Sequence, residues 1–147
     1  MTPDAAATIC RILIVEDNPV NRTIATKILE KHGYVVSAVE NGALAVDLTA
    51  RERFDVVLMD IQMPVMDGLT ATAAIREREL GTGEHLPIIA VTAHALEEDR
   101  RRCFAAGMDD YLPKPIRSGD LFVKVARFTP ASSPTPAPST PLATATM

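Results

Sequence analysis

Four groups of side chains in this 147-residue sequence have the types and spacing to do chemistry. Asp60 closes the apolar run Val56-Val-Leu-Met59, and the pair Glu16-Asp17 closes a second run, Arg11-Ile-Leu-Ile-Val15. Thr92 stands at the end of Pro87-Ile-Ile-Ala-Val91, and Lys114 lies just beyond Asp109-Asp-Tyr-Leu112. Taken alone, Asp60 is as readily the end of a strand or the cap of the next helix as it is an acid offered to a ligand. Brought together, the set has a consequence. Two carboxylates held ~4 Å apart repel by roughly 4 kcal/mol at an effective dielectric near 20. That is a large part of the ~5–15 kcal/mol that stabilises a domain. A divalent cation relieves the repulsion, and all-oxygen ligands favour Mg2+ or Mn2+. Such a cation draws in a phosphoryl group, for which Lys114 adds compact positive charge and Thr92 a hydroxyl donor. Carboxylates that form aspartyl-phosphate are a known class of nucleophile.

These residues must be positioned by the elements around them. The short β-branched runs ending at Val15, Met59, Val91 and Leu112 suit strands buried on both faces, and Tyr34 to Val39 supplies another. Helical segments separate them. Asn18 caps the first and Pro19 suits its opening turn, with Val20, Ile24 and Ile28 at four-residue spacing and Gly33 as the stop. Asn41-Gly42 opens a helix over about Ala43 to Arg51, with Leu44 and Leu48 on its apolar face. Pro64 and Asp67-Gly68 mark a loop before a third helix, Gly68 to Arg78. Gly81-Thr-Gly83 breaks the pattern, Leu96 to Ala106 is a charged helix, and Ser118 caps a last one, Asp120 to Phe128. Leu121, Phe122, Val125 and Phe128 form its stripe.

Five strand–helix units with buried strands imply an α/β fold, a parallel sheet wound with helices on both faces. Of the strand orders open to five strands, 2-1-3-4-5 fits a small domain best, and the crevice at its switch point lies at the carboxyl ends of strands 1 and 3. Glu16, Asp17, Asp60, Thr92 and Lys114 then share one edge.

The set Glu16-Asp17, Asp60 within Met59-Asp-Ile-Gln-Met-Pro-Val-Met-Asp-Gly68, Val91-Thr92-Ala93 and Lys114-Pro115 resembles the receiver domain of two-component response regulators. Each piece is common singly; all four in this order are specific, and the resemblance covers about Arg11 to Phe128. It implies a flavodoxin-like doubly wound sheet, with Asp60 as phosphoacceptor from a histidine kinase or histidine phosphotransfer protein. Glu16, Asp17, Asp60 and the backbone carbonyl of Gln62 would surround Mg2+. Thr92 and Lys114 would hold phosphoryl oxygens, Lys114-Pro115 would be cis, and Thr92 with Tyr111 would form the switch. Gln62 and His94 would gate hydrolysis of the phosphorylated state. Such a domain is a phosphoacceptor that promotes its own phosphorylation and dephosphorylation rather than a turnover enzyme, and it admits a phosphorylation-dependent dimer. The wording Glu-Asp-Asn-Pro-Val-Asn-Arg in the first helix is similar to receivers fused to hybrid sensor kinases.

Composition bounds the alternatives. A net charge of −4 suggests no direct nucleic-acid partner, and no apolar run is long enough for membrane insertion. Cys10 and Cys103 show no metal spacing and read as buried free thiols in a cytoplasmic protein. His32, His85 and His94 show no ligand pattern, and Met59, Met63 and Met66 read as packing and loop residues. Residues 1–8 read as a flexible lead-in, 9–128 as the domain, and 129–147 as a disordered tail or linker. That tail has five prolines and no charged side chain. A phosphatase of the haloacid dehalogenase class would need an aspartate where Gln62 stands, and a flavin mononucleotide binder would not put Glu16-Asp17 against phosphate. The remaining alternative is a receiver-like interaction module independent of phosphorylation.

Overall fold

The computed structural model describes residues 10–129, except 64 and 94–96. The expectations for residues 1–8, for 130–147 and for His94 lie outside the described residues. Five parallel strands, β1 (Arg11–Val15), β2 (Val35–Val39), β3 (Val56–Asp60), β4 (Ile88–Thr92) and β5 (Asp110–Pro113), pair in the order β2-β1-β3-β4-β5. Five helices follow them in turn: α1 (Pro19–Lys31), α2 (Gly42–Arg51), α3 (Gly68–Glu79), α4 (Glu97–Ala106) and α5 (Ser118–Phe128).

Alternation along the strands feeds two cores. Ile12, Ile14, Val56, Leu58, Ile89, Val91 and Leu112 meet Ala25 and Leu29 of α1 and Leu121 and Val125 of α5. Leu13, Val15, Val57, Met59, Ile88 and Ala90 meet Ala45 of α2, Ala71 and Ile75 of α3 and Cys103 of α4. Every residue of β3 and β4 is therefore buried, as a central strand covered on both faces requires. Both cysteines are buried and form no disulfide. Among the described residues no helix is long and apolar enough to cross a membrane.

The structure turns two helix faces from where the sequence pattern puts them. On α1, Val20 is 63 % exposed and Ile24 45 %, whereas Ala25 and Leu29 meet the sheet and Ile28 only flanks them. On α2, Leu44 is 43 % exposed and Ala45 is fully buried. In both, an alanine lets the helix axis approach the strands, and the larger residue one position earlier is rotated outward. Ser118 is also displaced from its expected role: it lies within α5, and Arg117 occupies the cap position with no side-chain hydrogen bond.

One buried group is left over. Thr72 is fully buried on α3, and its hydroxyl has no partner among the described residues. A desolvated hydroxyl without a bond costs about 1–3 kcal/mol. Thr72→Val keeps the shape and removes that cost, so it is expected to stabilise the fold by about 1 kcal/mol, a rise of several degrees in Tm. A thermal melt checks this, and a lowered Tm would mean that the hydroxyl is bonded.

Candidate functional site

The loops at the carboxyl edge of the sheet are pinned by hydrogen bonds running one residue past the strands. Glu16 N–H donates to Val39 O at 3.1 Å, Ile61 N–H to Val91 O at 3.2 Å and Lys114 N–H to Thr92 O at 2.8 Å. Asp60 pairs in register with Val91, and Thr92 with Pro113. The polar residue at the end of each strand, Asp60 and Thr92, or just past it, Glu16 and Lys114, is thus held by rigid backbone.

Three carboxylates converge there. Glu16, Asp17 and Asp60 each offer an oxygen, and these atoms lie within 4.8 Å of one another. Glu16 and Asp60 are each 3 % exposed, while Asp17 faces solvent. The Lys114 ammonium bridges the two buried acids, 3.0 Å from Asp60 Oδ2 and 3.2 Å from Glu16 Oε1. Asp60 Oδ1 accepts from the amide of Gln62 at 3.0 Å, and Glu16 Oε2 from the amide of Asn18 at 3.1 Å. Lys114 is joined to Pro115 by a cis peptide bond.

The electrostatics follow from this crowding. Burial pushes the Glu16 carboxyl above the usual range; the Asn18 amide pulls it back, and the charge of Asp60 and a hydrogen bond to it push it up again. Burial alone would lower Lys114, but the hydrogen bond and charge of Asp60, and then Glu16, outweigh it and leave the ammonium above its ordinary value. Three carboxylates therefore face one firmly protonated amine. The donors are all oxygen, and a hard divalent cation such as Mg2+ fits their chemistry and their spacing.

Thr92 is buried beside the cluster at the end of β4. Tyr111 stands apart on β5, half-buried, with the Arg100 guanidinium 4.7 Å from its ring centre and Lys124 Nζ at 5.4 Å. Gln62 is exposed and lines a hollow of about 400 Å3 with Met63, Asp67, Asp99 and Arg102. A larger depression of about 920 Å3 opens at the opposite edge of the sheet, beside Arg53, Phe54, His85 and Phe128. Arg78, on its wall, is already bonded to Val46 O and Thr49. The carboxylates converge at the other end, which selects that edge as the site.

Two supports go beyond the residues singled out by their chemistry. The guanidinium of Arg22 on α1 donates to the main-chain carbonyl of Glu16 at 2.9 Å. Gly68 opens α3 against the backbone of Asp60 and Ile61. Arg22 belongs to the Glu-Asp-Asn-Pro-Val-Asn-Arg run and Gly68 to the Asp-Gly turn, so both positions carried a signal, though not the contact.

Comparison with known proteins places this geometry. The family model described as the response regulator receiver domain matches residues 12–126. The sensor protein GacS of Pseudomonas syringae pv. syringae is 46 % identical over 129 residues, which are 87 % of this chain and 14 % of that protein. The chain thus spans about one seventh of that relative. The receiver domain of the sensor histidine kinase PA1611 from Pseudomonas aeruginosa PAO1, solved with a magnesium ion coordinated in its active-site cleft, is 46 % identical. It superposes with a TM-score of 0.74, covering 82 % of this chain and 97 % of that one. The receiver domain of Ssk1, solved in complex with the histidine phosphotransfer protein Ypd1 of Saccharomyces cerevisiae, is 31 % identical with a TM-score of 0.76. The match covers 83 % of this chain and 90 % of that chain.

Proposed function

Because the chain belongs to the response regulator receiver family of two-component signalling, we propose that Asp60 accepts a phosphoryl group from a phosphohistidine, with Mg2+ at Glu16, Asp17, Asp60 and the carbonyl of Gln62. The observation that carries this reading is the convergence of three carboxylates within 4.8 Å, two of them buried and bridged by one ammonium. Mn2+ would meet the same oxygen donors. The bound cation supplies positive charge that offsets the crowded carboxylates and the incoming phosphoryl group.

The chain's own groups do the rest. An oxygen of Asp60 forms the new P–O bond as the donor's P–N bond breaks, and the imidazole leaves with the electron pair. Asp60 is almost sealed at the carboxyl edge of the sheet, beside solvent-facing Asp17. Lys114 passes from its carboxylates to a phosphoryl oxygen, and the Thr92 hydroxyl donates to another. With Thr92 drawn in, Tyr111 changes its packing on β5, and the domain switches. Gln62 and His94 tune hydrolysis of the phosphorylated state by orienting or excluding the attacking water.

The likeness to a sensor kinase receiver and to a receiver bound to a phosphotransfer protein supports a histidine kinase or histidine phosphotransfer protein as donor. The direct test is intact-mass measurement after incubation with acetyl phosphate and Mg2+. An unmodified wild type would overturn the reading.

Mg2+ itself should register in stability. A ligand that binds only the native state at 100 times its Kd contributes about 2.7 kcal/mol. Asp17→Asn removes one carboxylate from the cluster, and is expected to melt higher than the wild type without Mg2+ and to gain less from adding it. Melts with EDTA and with Mg2+ decide. Equal responses in the two proteins would show that Asp17 is not part of the cation site.

A further inference from the structure

We propose that Arg22 is a positioning residue of the cation site, acting through the main-chain carbonyl of Glu16 on the carboxylate of Asp17. The inference rests on the function proposed above, and it concerns a residue that takes no part in the ligand set.

The three acids are not held equally. Glu16 is fixed through its side chain by Lys114 and by the Asn18 amide. Asp60 is fixed by Lys114 and by the Gln62 amide. The Asp17 carboxylate faces solvent and accepts no hydrogen bond from the described residues. Its position in the cluster comes only from the backbone that carries it. That backbone is the peptide joining Glu16 to Asp17, whose carbonyl oxygen is the atom that Arg22 Nη1 holds at 2.9 Å. Rotation of this peptide plane would swing the Asp17 Cα–Cβ bond and move its carboxylate away from Asp60.

Arg22 is well placed for this work. Its own amide donates to Asn18 O at 2.9 Å in the first turn of α1, and Asn18 caps that turn through Val20 and Asn21. The helix start, the acid pair and the guanidinium form one closed unit, with Arg22 half-buried in it. Its delocalised charge suits a carbonyl acceptor, and the bond is of the stronger, charge-assisted kind.

The two things Arg22 brings have opposite signs for cation binding, which makes the proposal sharp. Its positive charge stands one peptide from the cluster and opposes an arriving cation. Its hydrogen bond organises a ligand and favours one. Arg22→Met removes both. If only charge mattered, Mg2+ would bind more tightly. If positioning dominates, binding weakens, and outer-shell partners of metal ligands typically govern affinity by 10–100-fold.

The experiment is calorimetric titration of wild type, Arg22→Met and Arg22→Lys with MgCl2, with apo melting curves for each. The expected result is a Kd for Mg2+ raised about tenfold in Arg22→Met, in protein that is folded at the titration temperature. Arg22→Lys, which keeps the charge and a donor, should recover most of the loss. A Kd within twofold of wild type, or a lower one, overturns the proposal while leaving the function intact. A wild type that binds no Mg2+ overturns both. Should Arg22→Met fail to fold, Arg22→Ala, which likewise removes both the charge and the donor, is titrated and judged by the same direction of change.

Discussion

Asp60→Asn is expected to take up no phosphoryl group from acetyl phosphate and Mg2+, where the wild type takes one. The substitution is almost isosteric. Asn Oδ1 can still accept from the Gln62 amide, which lies 3.0 Å from that oxygen in the wild type. What disappears is the anionic oxygen that would form the new bond, and a neutral amide offers no comparable nucleophile. The amide nitrogen would also face Lys114, whose ammonium now stands 3.0 Å from Asp60 Oδ2, so donor would meet donor. The ammonium keeps Glu16 as partner, and one buried carboxylate of a repelling pair is gone, so the variant should remain folded. Circular dichroism checks that, and intact mass reads the uptake. Persistence of the added mass in Asp60→Asn would move the acceptor elsewhere, with solvent-facing Asp17 the first position to map. The same comparison separates a phosphoacceptor from an interaction module that does not use phosphorylation.

The second large effect is expected at Gly68. A Cβ there would lie 2.3 Å from the carbonyl oxygen of Asp60, 2.8 Å from Ile61 Cα and 2.9 Å from Met59 Cγ. The first two are backbone atoms of β3 and its exit, which cannot rotate out of the way. Gly68→Ala must therefore push the start of α3 off the sheet, straining the bond from Gly68 N–H to Ile61 O at 3.3 Å. Overpacking of this kind costs about 1–3 kcal/mol and occasionally more, and contact with backbone puts this case at about 3 kcal/mol. Gly119 supplies the control. A Cβ at Gly119 would meet nothing within 4 Å, and the residue sits in the first turn of α5. Gly119→Ala should stabilise by about 0.4–1 kcal/mol by narrowing the unfolded ensemble. Urea midpoints for the pair read the contrast, and Gly68→Ala should also blunt the Mg2+ response because Asp60 moves. A Gly68→Ala midpoint equal to that of Gly119→Ala would show that the helix start has room to yield.

The elements and the edge that carries the chemistry were legible because their signals are local. Asn18 and Asn41 do cap their helices, bonding to the amides of Val20 and Asn21 and of Leu44. Gly33, with φ of 92°, ends α1 where the pattern stops. The short β-branched runs are strands, since a residue buried on both sides leaves no polar alternation to confuse with a helix. The strand order put Glu16 beside Asp60, and the parallel pairing of β1 with β3 does so.

By itself, then, the sequence determined which segments form strands and helices, their winding, and which polar residues stand at strand ends. Caps, turns and periodicity act over a few residues and do not wait for the rest of the fold. Only the tertiary structure decided which helix faces reach the sheet. Two stripes offset by one residue run along α1, and the one carrying Ala25 wins because a small side chain allows closer approach. Only it decided that Lys114 spans Glu16 and Asp60, residues 98 and 54 positions away. The same holds for the contact of Gly68 with the backbone of β3 and for the reach of Arg22 to the Glu16 carbonyl. Each depends on backbone separations and side-chain directions that exist only once the sheet is assembled and the helices are packed on it.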